Sequence, residues 1–182
     1  CFYSTLYQRF IPYPGIAQVS WILTDLQGLE IQKRHYLIHP EDQFVPKRDQ
    51  AWYGYKLAYA RDNGHYLAFA FSELKQVLTI YRPMVIAWEV DELLALLDQA
   101  PHAQRLGDAR DSLSTFCVRE FTDWLPALPP VDGSLAGLYR KLFDQVIMPF
   151  DGTAHAQALL ACHKKVQELI YWKLQTASET LS

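Results

Sequence analysis

The sequence predicts an α/β domain in which a mixed sheet is flanked by helices. Strand-like runs extend to residue 40, the hydrophobic period becomes helical after Tyr53, and a short apolar run follows at 84–88. The 182 residues suffice for one domain that buries ~70% of its unfolded surface. We expect a single domain over residues 1–182, either trimmed at its start or cut from a longer protein.

The first part of the chain predicts an antiparallel meander of three strands. Residues 1–7 and 16–25 are rich in β-branched and aromatic residues, and turn residues separate them. Gln27-Gly28 predicts a hairpin turn, and the alternation after it predicts a half-exposed third strand that ends at Pro40. Residues 41–52 have no pattern and are expected to form a polar loop.

The rest of the chain predicts helices around one buried strand. Apolar residues at helical spacing end before Arg82-Pro83, and residues 84–88 form a continuous apolar run typical of a strand buried on both faces. A second helix is expected at 91–100, short helices or turns at 112–121 and 134–143, and a long amphipathic helix from about 154 to 176.

Composition narrows the function classes. Half of the residues are hydrophobic and 20% are charged, which is typical of a globular protein, and a net charge of −3 does not favour a broad nucleic-acid-binding face. The three cysteines have neither disulfide-framework nor zinc-site spacing, so we expect a reducing, cytoplasmic location. No apolar run approaches the length of a membrane span, and no membrane association is expected.

Five segments along the chain form a recognisable order. They are IAQVSWILTDLQGLEIQKRHYLIHPE, VIAWEVDELLAL, DSLSTFCVREF, SLAGLYRKLF and GTAHAQALLA. Taken together, they resemble the DEDDh 3′–5′ exonucleases of the ribonuclease H-like superfamily, such as epsilon-type proofreading subunits. The resemblance implies a ribonuclease H-like mixed sheet with a meander and parallel strands. It also implies a site where four carboxylates hold two Mg²⁺ or Mn²⁺ ions ~4 Å apart and a histidine acts as general base.

The first and last motifs of this resemblance lack their acids. A gapless count back from Ile16 places Tyr3 at the aspartate and Thr5 at the glutamate of the first strand. In the last motif His155 matches the histidine, and Leu160 stands where an aspartate belongs. Tyrosine, threonine and leucine are poor ligands for a hard divalent ion, which prefers anionic oxygens.

The central motif retains an acid. Glu92 fits it best and Asp91 is the alternative register, although acids in the first turn of a helix are also ordinary complements to its dipole. Since a lone carboxylate cannot hold two metal ions, we expect a degenerate exonuclease-like domain. This domain would need no cofactor and would bind nucleic acid or act as a protein scaffold.

Two other readings remain open at this stage. One is an active Mg²⁺- or Mn²⁺-dependent exonuclease with a rearranged site built from Asp91, Glu92, Asp151 and His155. Against it, Asp151 belongs to a turn-forming Asp-Gly pair, and a histidine at a helix start is often a capping or packing residue. The other reading is a pure protein–protein interaction domain.

An aromatic and basic segment is the candidate contact surface. Trp52, Tyr55, Lys56 and Arg61 belong to a stretch in which basic residues are interleaved among aromatic ones, as in surfaces that stack bases and contact phosphates. The same residues could anchor a protein partner or pack in the core. We therefore expect either a single-stranded nucleic acid or a protein as the partner.

Overall fold

A computed structural model describes residues 2–7, 15–40, 57–99, 113–123, 134–148 and 151–180. The strands are β1 (Phe2–Tyr7), β2 (Gly15–Thr24), β3 (Glu30–Leu37), β4 (Val85–Ala87) and β5 (Thr115–Cys117). The helices are α1 (Leu57–Asn63), α2 (Leu67–Tyr81), α3 (Val90–Gln99), α4 (Val118–Asp123), α5 (Leu135–Phe143) and α6 (Gly152–Thr180). The predicted loop at 41–52 lies outside the described residues.

The first three strands form an antiparallel sheet in the order β1-β2-β3. The hairpin between β2 and β3 turns at Asp25–Gly28, where the Gly28 N–H donates to the Asp25 carbonyl oxygen at 3.1 Å. Gly28 has a φ of 82°, a conformation that glycine adopts without a Cβ clash, which explains why the turn falls at this residue.

The second sheet joins β4 and β5 in parallel. All three residues of β4 are buried, as the apolar run predicts. The expectation of a helix or turn throughout 112–121 is wrong at Thr115–Cys117, because these residues pair with β4, and three residues are too few to show a strand period. The α/β class is confirmed. The described strands form two hydrogen-bonded sheets, with β1 lying beside β4.

The two faces of β2 have different partners. Val19 and Trp21 point to one face and join a core cluster with residues of α2 such as Phe71 and Leu74. Gln18 and Ser20 alternate with them and contact the start of α6 on the other face. A second cluster packs α6 against β4, α4 and α5, and its buried members are Ile86, Val118, Leu135, Leu138, Ile147, Ala158, Leu159 and Cys162.

Helix ends follow local signals. α2 ends at Arg82, whose φ of 43° and backbone N–H bonded to the Leu78 carbonyl oxygen close the helix before Pro83.

α6 is longer than predicted, at 29 residues or ~43 Å. Its Cys162 is fully buried, and desolvation raises the pKa of that thiol to about 12. Within the described ranges, every helix is too short or too polar to cross a lipid bilayer.

Candidate functional site

Asp151 caps the first turn of α6. Its Oδ1 accepts hydrogen bonds from the backbone N–H groups of Thr153 and Ala154, at 2.9 and 3.0 Å. The free N–H groups of a helix start need such acceptors, and an aspartate is among the residues that provide them best. The Asp-Gly pair, a turn signal in the sequence, therefore forms a helix cap.

The same helix start rests on the sheet. The Gly152 N–H donates to Oε1 of Gln18 at 3.1 Å, and Ser20 Oγ is hydrogen-bonded to His35 Nδ1 at 2.7 Å. A Cβ on Gly152 would lie 2.4 Å from Ser20 Oγ and 3.2 Å from His35 Nδ1, so only glycine fits. These residues, Gln18, Ser20, His35 and Gly152, form a contact that we call the helix seat.

Strand register places the predicted first-strand positions beside the helix seat. Tyr3 pairs with Ser20, and Thr5 pairs with Gln18. Ser20 pairs in turn with His35 on β3. The backbone positions where the resemblance expects acids therefore lie directly across from two residues that contact the start of α6.

His155 lies one turn into α6 and is half-buried. Its Nδ1–H donates to the Asp151 carbonyl oxygen at 2.9 Å, because a carbonyl can only accept. Desolvation lowers the pKa of His155, and the bond to Asp151 and that residue's charge partly oppose the shift. The ring is therefore neutral at pH 7, with its lone pair on Nε2.

Leu160, at the position where the resemblance expects the last aspartate, is half-buried against the second core cluster. Asp91 and Glu92 are exposed in the first turn of α3, while Leu93 and Leu94 after them are buried. The carboxylates of the central motif thus belong to a separate helix from Leu160.

The donors described at the helix seat are a poor match to a divalent cation. Gln18, Ser20 and His35 are neutral at pH 7, since desolvation also lowers the pKa of His35 against the opposing charge of Asp151. The one carboxylate there, Asp151, already accepts two backbone bonds. Across the described residues, no three His, Cys, Asp or Glu side chains approach closely enough to hold a metal ion. A hard ion requires several anionic oxygens.

The candidate contact surface is described in part. Arg61 is exposed in the last turn of α1, whereas Trp52, Tyr55 and Lys56 lie outside the described residues. Beside α1, the rings of His39 and Tyr66 have centroids 5.2 Å apart.

A second ring pair lies next to it. The rings of His65 and Phe69 stack at 5.4 Å, and Tyr66 and Phe69 are both exposed. This cluster of His39, His65, Tyr66 and Phe69 is called the aromatic surface below.

Three residues of the helix seat, Gln18, Ser20 and His35, were not singled out from the sequence. The signal that could have found them is the alternation of β2, where Gln18 and Ser20 interrupt an otherwise apolar strand between Ala17, Val19 and Trp21. Their partner His35 is a cross-strand neighbour, and pairing register cannot be read from one strand alone.

Comparison with solved structures places this arrangement in a known fold. The nuclease domain of 3′hExo, a DEDDh family member bound to rAMP, superposes with a TM-score of 0.68 at 13% identity over 92% of this chain and 88% of that one. The chain has an exonuclease-like, ribonuclease H-like fold. E. coli Exonuclease I in complex with a dT13 oligonucleotide superposes on this exonuclease-like chain with a TM-score of 0.74 at 14% identity.

The matches cover different shares of the solved structures. The match to Exonuclease I covers 96% of this chain but 42% of that enzyme. A 3′-exonuclease solved in recognition of the histone mRNA stem-loop gives a TM-score of 0.66 at 9% identity, over 92% of this chain and 79% of that one. No protein-family model and no curated protein matches the exonuclease-like chain.

Proposed function

We propose that this chain is an exonuclease-like domain that has lost metal-dependent hydrolysis and serves as a binding or scaffolding module. The observation that carries the proposal is the helix seat. Gly152 packs directly on Ser20 and Gln18, which pair with the strand positions Tyr3 and Thr5. Uncharged side chains thus lie beside the positions where the resemblance expects metal ligands, and the neighbouring Asp151 carboxylate caps the helix. In this proposal the two sheets form one ribonuclease H-like mixed sheet in a cytoplasmic pseudoenzyme.

Leu160 supports the same proposal from the helix side. Its side chain packs against an apolar cluster and also lines a surface groove, so it offers no oxygen ligand at the position where the resemblance expects an aspartate. His155 keeps the protonation state of a general base, but without a metal-bound water it has no activated nucleophile to deprotonate. The histidine would then serve to fix the helix start through its bond to Asp151.

Single-stranded nucleic acid is the partner that we propose first. The aromatic surface presents exposed rings at Tyr66 and Phe69, with Arg61 nearby in sequence, and base–aromatic stacking is worth ~1–3 kcal/mol per base. Structural neighbours were solved with dT13 and with an mRNA stem-loop. A protein partner is the second proposal, supported by exposed apolar side chains and by a neighbour solved as an ExoI/SSB-Ct complex.

Cleavage and binding should be measured on the same labelled single strands of DNA and RNA. We expect no 3′ shortening in Mg²⁺ or Mn²⁺, and salt-dependent binding that a Tyr66→Ala, Phe69→Ala variant weakens. A Leu29→Ala variant, which also removes an exposed apolar side chain but from the distant hairpin, is the matched control.

Metal-dependent shortening of either strand that disappears in Glu92→Ala or His155→Ala would overturn the loss of hydrolysis and favour the rearranged site. That site also predicts a higher melting temperature in millimolar Mn²⁺, because a ligand that binds only the folded state stabilises it. Equal binding by the wild type and the Tyr66→Ala, Phe69→Ala variant would remove the aromatic surface as the nucleic-acid contact.

A further inference from the structure

A groove of about 950 Å³ lies along the middle of α6. β2 begins near the helix seat and ends at the Asp25–Gly28 turn, and α6 runs alongside it until Lys164 reaches Gly28. We call this cavity the distal groove. Its walls are formed by the hairpin, the end of α2 and residues 160–171 of α6, and its apolar lining includes Leu26, Ile31, Tyr81, Met84 and Tyr171.

The apolar side chains of the distal groove are unusually exposed. Leu26 is fully exposed, and 53% of Ile31 and 65% of Tyr171 are open to solvent. Single exposed apolar residues are common on protein surfaces, but several of them around one concave site are a mark of a binding surface. Burying them would remove apolar area from water, which favours an occupant with apolar side chains of its own.

The floor of the distal groove is neutral. His163 is buried there beside Ile22 and Ile86, and its ring meets that of Phe116 edge-on with centroids 4.6 Å apart. Neither of its ring nitrogens has a hydrogen-bond partner among the described residues. Desolvation by burial, and to a smaller extent nearby positive charge that includes Lys164, lowers the pKa of His163 to about 4, so the ring is uncharged at pH 7.

The charged residues at the rim of the groove differ in whether they already have a bonding partner within the chain. Asp25 accepts the Leu29 N–H through Oδ1, and Glu168 accepts a hydrogen bond from Lys165 at 2.8 Å. Lys164 and Arg82, by contrast, have no ion-pair partner within the ranges that the structure covers. The acids of the rim are therefore engaged within the chain, and two cations remain to meet a partner.

Both cations lie at exposed positions beside the cleft. Arg82 follows the last residue of α2, and Nζ of Lys164 lies so close to Gly28 that a Cβ there would come within 2.4 Å of it. Two exposed cations that have no ion pair among the described residues, beside an apolar cleft, make a surface that is complementary to carboxylates flanking apolar side chains.

We infer that the distal groove docks an acidic amphipathic segment of a partner protein, with its apolar side chains in the cleft and its carboxylates at Lys164 and Arg82. A nucleic acid suits this surface poorly, because its phosphates need a run of basic residues, whereas the cleft beside the two cations is apolar.

The probe is a short fluorescein-labelled peptide in which Leu and Phe alternate with Asp and Glu, measured by fluorescence anisotropy with the full chain. We expect saturable binding that weakens about tenfold or more in Leu26→Asp and in Lys164→Glu. Leu29→Asp and Arg140→Glu are the matched controls. They make the same kinds of change at exposed positions outside the groove and should leave the affinity within about twofold.

Two further peptides separate the contribution of the carboxylates to binding from that of the apolar side chains. Replacing Asp and Glu by Asn and Gln, or Leu and Phe by Ser, should each weaken binding. Absence of binding by the original peptide, or equal losses in the groove variants and their controls, would overturn the inference. So would a wild-type dimer in sedimentation that Leu26→Asp converts to monomer, because the occupant would then be a second copy. Leu26→Asp should leave the binding of single-stranded nucleic acid unchanged. Failure of the docking inference can therefore be distinguished from failure of the proposed function.

Discussion

Ser20 Oγ and His35 Nδ1 lie 2.7 Å apart directly beneath Gly152, and Ser20 is only 1% exposed. The pair joins two strands and at the same time supports the first residue of α6. A hydroxyl that is buried and already hydrogen-bonded is costly to displace, because its partner would be left unsatisfied. The start of α6 therefore packs on a firmly bonded pair, and the bond from the Gly152 N–H to Gln18 Oε1 holds it against the sheet.

Gly152→Ala should destabilise the fold by about 1–3 kcal/mol, because the new methyl group would clash with Ser20 Oγ in a site that has no room. Urea denaturation gives the free energy of unfolding. Gly137→Ala, inside α5, is the control and should be neutral or stabilising, since alanine favours a helix interior by roughly 0.5–1 kcal/mol over glycine. An unchanged midpoint for Gly152→Ala would contradict the packing of the helix seat.

Asp151→Ala should lower the free energy of unfolding by about 0.5–2 kcal/mol, because the N–H groups of Thr153 and Ala154 lose their acceptor. Asp151→Asn should retain most of the stability, since an amide oxygen caps a helix nearly as well. If Asp151 instead served as a metal ligand, both variants would lose the same Mn²⁺-dependent increase in melting temperature, and the asparagine would not rescue it. Thermal denaturation with and without Mn²⁺ distinguishes the two roles.

Leu160→Asp introduces the acid that the resemblance expects at this position, and the variant should still have no nuclease activity. We expect a loss of about 2–4 kcal/mol, because a carboxylate would replace an apolar side chain that packs against the second core cluster. Leu160→Met keeps the volume and should cost less than about 1.5 kcal/mol. Mn²⁺-dependent shortening of single-stranded DNA by Leu160→Asp would contradict the loss of hydrolysis at this site.

Acid should weaken the fold through His163. The fold lowers the pKa of His163 from the ordinary 6.5 to about 4, so a proton binds this ring more tightly in the unfolded chain than in the folded one. The stability that the neutral ring gives to the fold is therefore fully present above pH 6.5 and is lost as the pH falls toward 4. His163→Phe retains a ring against Phe116 but cannot be protonated. The free energy of unfolding, measured between pH 7 and 4, should fall less steeply in this variant. Parallel profiles would show that His163 does not drive the acid sensitivity.

Local signals explain which parts of the fold were predictable. The alternation of β2 and β3, the turn at Gly28 and the end of α2 at Arg82 are each determined by residues close in sequence. β5 was missed because its three residues form a strand only through their pairing with β4. The predicted short helix at 134–143 is present as α5, where Ser134 caps it by accepting the Gly137 N–H at 3.0 Å.

The candidate site was predictable only at the residues that a motif marks. His155 and Leu160 could be placed from the last motif, and the structure puts both on α6. Gln18 and His35 belong to strands that meet through long-range pairing, so one strand's sequence does not reveal that they approach Gly152. The distal groove was missed for a similar reason, since Leu26 and Tyr171 are far apart in the chain and become neighbours only in the fold.

Because the Cys162 thiol is buried, its reactivity can report when α6 detaches from the rest of the fold. The side chain is fully buried in the middle of α6, and a thiol with a pKa near 12 presents almost no thiolate at neutral pH. In a Cys1→Ser, Cys117→Ser background, a thiol-specific reagent could label the protein only when α6 separates from the sheet. The labelling rate would then measure how often the helix detaches, in the folded protein and without any denaturant.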